Sequence, residues 1–298
     1  MLLSKLILSI IQQNKATLKK NFLAFTKRCG IIHTVINLDR KNIEKIAQNP
    51  EDRLFLAKLW DKIATGMRKN IPANTPFLSP REQELARYLF GNEEGLYYFG
   101  GYGDAERKML VYLPEYLDES SLMEDDSPVV CLRAEFYQGD TLSHRDFLGA
   151  LMGAGIGRET VGDICVGKGS CDFFVTCEIA PYVEQSFLGA GRTKVRMKRI
   201  PLAEAAIPVP ETKEIRDTLA SLRLDSVISS GFRIGRNLAS QYVLGGKAAI
   251  DGLPCEKPDK AVVEGMKISV RGLGKIVLTS VNGKTKKDRI SVTIHRFI

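Results

Sequence analysis

The sequence predicts an α+β protein with an N-terminal helical segment, a central α/β sandwich, and a C-terminal module of two short helices on a strand-rich hairpin. Three observations carry this prediction. Helix-period apolar spacing with strong capping residues lies before residue 92. Short apolar runs surround one helical stretch between residues 93 and 201. A basic, glycine-punctuated segment begins after residue 213.

At 298 residues the chain has room for two or three modest domains. Its net charge of +8 is unevenly distributed. Residues 213–298 hold 16 Lys and Arg against 8 Asp and Glu, whereas residues 39–212 hold 21 against 27. A near-neutral body with a basic C-terminal module is the asymmetry of a polyanion binder. No apolar run reaches the ~20 residues of a membrane span, so no membrane partner is expected. Residues 1–38 carry 6 basic and no acidic residues. They fit a targeting leader, a membrane-surface helix, or translation from a start codon placed too far upstream, and the last is preferred.

The elements follow in order. Leu54, Ala57, Leu59 and Ile63 recur at helical spacing after Pro50, which predicts an amphipathic helix over 50–70 and a helical region over 39–92. In "NTPFLSPREQELARYLFG", Ser79 is the N-cap, Pro80 takes the first helical position, Glu82 completes a capping box and Gly91 ends the helix. Within 93–201, "GLYYFGGY", "KMLVYLP", "VVCLRAEFY", "DICVG" and "DFFVTCEIA" read as strands. "HRDFLGALMGAG" between them reads as a helix, with Phe147, Leu148, Leu151 and Met152 on one face. Strand pairs flanking helices suggest a split βαβ sandwich, similar in shape to RNA-recognition modules (RRM-like) but lacking their aromatic signature.

"RTKVRMKRIP" places Arg192, Lys194, Arg196 and Lys198 on one face of a strand, by its period of two. This is either an edge strand protected by charge or a second phosphate-contacting ladder. Pro201, Pro208 and Pro210 mark a linker over 202–212. In the final module, 213–298, Leu224, Val227 and Ile228 give one helix its apolar face, and Gly231 is expected to stop it. On the second helix, from about Gly235 to Leu244, Arg236, Asn237, Ser240 and Gln241 share an arc opposite Leu238, Ala239, Tyr242 and Val243. Lys247 follows a double glycine, "KAAIDGLP" is a strand ending in a turn, and "MKISVRG" alternates Ile268 and Val270 inward with Lys267, Ser269 and Arg271 outward. Lys275 follows on the next strand. Lys284, Lys286, Lys287 and Arg289 sit at a hairpin tip.

Chemistry is harder to find. Cys165, Cys171 and Cys177 are spaced by six without the close C-x-x-C pairs of a zinc site, so they read as buried strand thiols. "GGYGDAE" lacks the G-x-G-x-x-G turn between strand and helix and reads as a hairpin. "HRDFLGALM" has Leu151 where a kinase catalytic loop needs Asn. Ser143, His144 and Asp146 are sequence neighbours better suited to capping a helix than to a triad, and His33 and His295 lack evident partners. No enzyme activity, metal or cofactor is expected.

The order Arg223-Leu224-Asp225, then Gly231, Gly235-Arg236, Ala239, Gly246-Lys247, Asp251-Gly252 and "VVEGMKISVR" resembles the S4-type RNA-binding domain over residues 221–275. The resemblance implies RNA-facing roles for Arg223, Arg233, Arg236, Asn237, Gln241 and Lys247, with Ser240, Arg271, Lys275, Lys284, Lys286, Lys287 and Arg289 extending the basic surface. Gly235 replaces the usual serine and Asp251 the usual asparagine. Upstream, "FLSPREQELA", "FGGYGDAERK" and "SHRDFLGALMGAGIGRETVGDI" look like YlmH-type S4-domain proteins, extending the resemblance over 45–298. That family implies a cytoplasmic, monomeric RNA binder on the ribosome. Its expected partners are rRNA and tRNA, on the large subunit carrying a stalled peptidyl-tRNA. S4 domains also ride on RNA-modifying enzymes, and a cyanobacterial and plastid branch is linked to photosystem assembly, where the leader would be a transit peptide.

Overall fold

The computed structural model describes residues 40–124, 126–285 and 288–298, so the leader expectation and Lys286 and Lys287 lie outside the described residues. Helix α1 (Pro50–Lys69) starts where the Asn49 side chain accepts from Asp52 N at 2.8 Å and ends at left-handed Asn70. Its buried face is Asp52, Leu56, Leu59, Ile63 and Gly66, while Leu54 is exposed. The expected apolar face was rotated at its N-terminal end because Asp52 is drawn inward by Arg81, whose two terminal nitrogens donate at 2.7 and 2.8 Å. Helix α2 (Pro80–Phe90) carries the expected box: Ser79 N donates to Glu82 Oε2 at 2.7 Å, and Glu82 N to Ser79 Oγ at 3.3 Å.

Strands β1 (Leu96–Phe99) and β2 (Met109–Tyr112) form an antiparallel hairpin, joined on the far side of β2 by the short strand Ala73–Asn74. The glycine-rich stretch is the hairpin loop, as expected. Asp163 closes it, accepting from Tyr102 Oη at 2.8 Å, Glu106 N at 2.6 Å and Arg107 N at 3.0 Å.

The central sandwich runs β3 (Val129–Glu135), α3 (His144–Gly153), β4 (Val161–Val166), β5 (Ser170–Thr176), α4 (Ala180–Ser186) and β6 (Arg196–Ile200). The sheet order is β4-β5-β3-β6, antiparallel throughout, so each βαβ unit is split by a strand of the other. One face buries Leu132, Phe173 and Val175 beneath Phe147, Leu151 and Val183 of the helices. The opposite face, through Val129, Cys131, Phe174 and Ile200, packs on Met109 and Val111 of the first sheet and on Phe77 just before α2. The sheet face that an RNA-recognition module leaves open is therefore partly roofed here. Residues 202–207 are fastened to the same core: Leu202, Ala205 and Ile207 pack on it, and Ala206 N donates to Asp172 at 2.7 Å.

The final sheet contains β7 (Thr212–Leu219), β8 (Ala248–Ile250), β9 (Leu253–Pro254), β10 (Lys267–Val270), β11 (Gly274–Lys284) and β12 (Ile290–Phe297), ordered β7-β12-β11-β10-β8-β9. Helices α5 (Leu224–Phe232) and α6 (Arg236–Leu244) share its core, where Leu224, Val227, Ile228, Ala239 and Val243 meet Ile268, Ile276 and Ile294. Gly231 does not stop α5. It lies inside the helix, where an added Cβ would stand 2.6 Å from Ile276 Cδ1, and left-handed Arg233 (φ 54°) forms the C-cap. Leu238 is exposed on α6, leaving Ala239 and Val243 as its buried pair with Tyr242 half-buried. The Asp251–Gly252 turn rests on the start of α2: an added Cβ at Gly252 (φ 84°) would meet Arg81 N at 2.6 Å.

Candidate nucleic-acid interface

The first turn of α5 places a carboxylate inside the module. Asp225 is 4% exposed and is shared by two arginines from either side of the helix pair. Arg223 donates to it through Nε and a terminal nitrogen at 3.2 and 3.3 Å, and Arg236 in the same way at 3.2 and 3.4 Å. Burial pushes the Asp225 carboxyl upward, but the Arg223 and Arg236 hydrogen bonds outweigh it and hold the group below the ordinary carboxylate range. The arginine side chains keep 40% and 53% of their surface in solvent. Each guanidinium is thus oriented along one edge with other N–H groups facing out.

Around this pair, Arg233, Asn237 and Gln241 are exposed and Ser240 is half-buried. Asp225 N and Leu224 N donate to Pro258 O and Lys260 O, which brings the exposed Lys257 and Lys260 alongside. Sequence reading missed these two lysines, since the connection from β9 is irregular, and it missed Asp225 as the organiser. The available signal was an Asp in the first turn of an otherwise uncharged helix, between two arginines. Lys247 is exposed, its Nζ 5.3 Å from the Tyr242 ring centre. Arg271 N donates to Lys247 O at 2.9 Å, and both residues line a cleft of about 270 Å³ with Gly246, Pro254 and Ser269.

The remaining expected contacts are placed differently. Lys275 turns to the hairpin loop of the first sheet, its Nζ 2.8 Å from Glu106 Oε2. Lys284 pairs with Asp288 at 2.7 Å. Arg289 donates to Thr218 Oγ1 at 3.1 Å and to the Thr218 carbonyl, so these tip residues are held by their own module. The tip lies at the far end of β11 from Lys275, nine residues of strand or roughly 30 Å. In the 192–198 stretch the alternation is present: Arg192, Lys194, Arg196 and Lys198 are exposed, and Val195 and Met197 pack inward. The ladder is nevertheless broken. Arg192 sits in a turn, Lys194 in a two-stranded ribbon, and Arg196 and Lys198 on edge strand β6, where Lys198 pairs with Glu135.

Ser143 N and Oγ donate to Asp146 Oδ2 at 2.8 and 2.7 Å, so this carboxylate caps α3. Cys165 and Cys171 are buried, as expected, and burial pushes their thiols upward, Cys165 to about 11; Cys177, just beyond β5, is exposed instead. His295 does have a neighbour, the Glu214 carboxylate at 3.8 Å. Among the described residues no group of three or more His, Cys, Asp and Glu is arranged to hold a metal, and no helix is long and apolar enough to cross a membrane.

Comparison with known proteins adds three findings. Residues 135–204 match the family model described as "Putative RNA-binding domain in YlmH". The chain is 37% identical over 224 residues, 74% of its length and 86% of the relative's, to ribosome-associated protein quality control protein P2 of Bacillus subtilis (strain 168). A solved structure, cell division protein ylmH from Streptococcus pneumoniae, aligns with 53% of this chain and 96% of its own at 22% identity and a TM-score of 0.44.

Proposed function

The chain belongs to the YlmH family, and from that premise we propose that it is a non-catalytic protein that grips structured RNA on the ribosome. The observation that carries this reading is the Asp225 clamp, which presents Arg223 and Arg236 to solvent beside Asn237, Gln241 and Lys247. Guanidiniums fixed along one edge bind phosphate through the other, and the neighbouring amides select for the shape of the RNA rather than its sequence. In this reading residues 213–298 are the principal RNA-binding domain and 39–92 with 93–201 the body that aims it; of the expected linker 202–212, residues 202–207 are fastened to that body and 208–211 form the tether. The family match over 135–204, which spans Arg192 to Lys198, supports a contribution from the central sandwich as well. The name of the B. subtilis relative supports a role in quality control of stalled translation. The site proposed is the large subunit carrying peptidyl-tRNA, reached by a monomer in the cytoplasm.

The RNA-modifying alternative would use a site around residues 144–163, where Asp146 caps α3 and Asp163 closes the first hairpin loop, so both carboxylates have structural roles. Co-sedimentation with ribosomal particles tests the proposal. The Arg236→Ala, Lys247→Ala variant should lose about tenfold or more in affinity while staying folded, with a modestly lower unfolding temperature because Arg223 alone then holds the buried Asp225. Undiminished co-sedimentation would reject the assignment.

A further inference from the structure

A second group of cations lies at the seam between the central sandwich and the C-terminal module, outside the helix pair. Arg107, at the foot of the first hairpin loop, is half-buried. Its Nε donates to Val161 O at 3.0 Å and a terminal nitrogen to Phe77 O at 2.9 Å. Arg158 donates to the same Val161 oxygen at 2.5 Å and to Gly162 O at 3.2 Å. Two guanidiniums therefore converge on one neutral carbonyl. Among the described residues, neither has a carboxylate within ion-pair distance.

Three carboxylates act on them without forming an ion pair: Asp163 on both arginines, and Glu82 and the exposed Glu159 on Arg107. Asp163 holds Tyr102 and two loop amides, and Glu82 completes the cap of α2. Two partly desolvated guanidiniums that share one neutral carbonyl and have no direct ion-pair partner keep N–H groups available to an anion. Burial, and for Arg107 the Arg158 charge, lowers the pKa of both arginines. Burial and then the Arg158 charge lower the pKa of His144, which favours its neutral form beside these arginines. An anion would complete this arrangement.

The seam is also continuous with the helix-pair surface. Lys247 touches Arg271 through the backbone, Arg271 opens the turn into β11, and Lys275 follows on that strand. Lys275 reaches Glu106, the residue before Arg107. One carboxylate, with 56% of its side chain exposed, thus interrupts a run of cations from α6 to the central sandwich. Ion pairs so exposed are weak and readily exchanged.

We propose that Arg107 and Arg158, with Lys275 reached through Glu106, form a second backbone-phosphate site through which RNA passes from the C-terminal helix pair onto the central sandwich. In this arrangement Glu106 occupies Lys275 until RNA phosphate displaces it. The inference rests on the RNA-binding reading above and deepens it by naming where the central sandwich is touched. Arg158 falls within the stretch matched to the family's RNA-binding model, whereas Arg107 and Lys275 lie outside it.

Salt titrations of full-length protein on ribosomal RNA test the site. Arg158→Gln should weaken binding about three- to tenfold and reduce the slope of log affinity against log salt by about 1. Lys275→Gln should act in the same direction, and Glu106→Gln should tighten binding about two- to threefold. If Arg158→Gln does not fold, the two surface substitutions decide the matter, because neither side chain supports the core. Unchanged slopes in the folded variants, or weaker binding by Glu106→Gln, would overturn the seam site. Binding that depends on Arg236 and Lys247 but not on Arg158, Lys275 or Glu106 would overturn this site alone. Failure of the wild-type chain to bind RNA would overturn both readings. Inorganic phosphate that raises the unfolding temperature only when Arg158 is present, with RNA slopes unchanged, would assign the site to a small anion and also overturn the RNA assignment.

Discussion

Among the described residues three buried aspartates hold arginines, Asp52, Asp172 and Asp225, and the last two do so with different results. In the central sandwich, Arg133 meets Asp172 in a bidentate pair at 2.6 Å on both arms and donates again to Glu204 O at 2.9 Å. Asp172, 1% exposed, also accepts from Ala206 N, and only 20% of the Arg133 side chain reaches water. The pair is turned inward and staples the segment after β6 to the sheet. In the C-terminal module, Asp225 is nearly as buried, but each of its two oxygens accepts from both Arg223 and Arg236, at 3.2 to 3.4 Å. The same two residue types fasten the fold in one place and hold out a binding surface in the other. What decides between them is how many guanidiniums one carboxylate must hold and how much of each stays wet.

The contrast can be broken at either aspartate. The largest stability loss is expected from Asp172→Ala, which strands a largely buried guanidinium and should cost about 3–5 kcal/mol in urea unfolding. RNA affinity of the remaining folded fraction should hardly change. Asp225→Ala should cost less, about 1–3 kcal/mol, because both arginines are already half-exposed. Its sharper effect is on binding. Removing an acid from a basic surface should tighten RNA binding if charge alone mattered, whereas loss of the clamp should weaken it several-fold, as filter binding at fixed salt would show.

The acid dependence of Asp225 follows from its lowered pKa. Its contribution to stability is complete above the unfolded carboxylate value of about 3.9 and is lost as pH falls through the lower folded value. Asp225→Asn should remove that component of the acid-unfolding curve while leaving stability at pH 7 reduced.

Local signals were legible in the sequence, and signals that depend on distant packing were not. The Ser79–Glu82 box, the split βαβ order and the helix pair are written in short-range spacing, and the structure contains each of them. Gly231 shows the limit. A glycine near a helix end reads as a stop, yet here it is the close approach of Ile276 and Ile294 from the sheet that calls for glycine. Leu54 and Leu238 have helical periodicity, but which helical face is buried depends on Arg81 pulling Asp52 inward and on how far the sheet extends beneath α6. Lys275 and Glu106 lie 169 residues apart in sequence, a contact no local pattern foreshadows. The candidate RNA residues on α6 were legible because helix periodicity groups them; the carboxylate that orients two of the arginines was not.

The most direct test of the anchored-arginine account is the salt dependence of RNA affinity in two paired variants of the full chain. Arg223→Gln with Arg236→Gln should lower the slope of log affinity against log salt by about 2, and Arg192→Gln with Lys194→Gln, which removes two unanchored cations, should change it by well under 1. An unchanged slope in the first variant together with a fall of about 2 in the second would contradict the account and move the principal RNA contact to the central ladder.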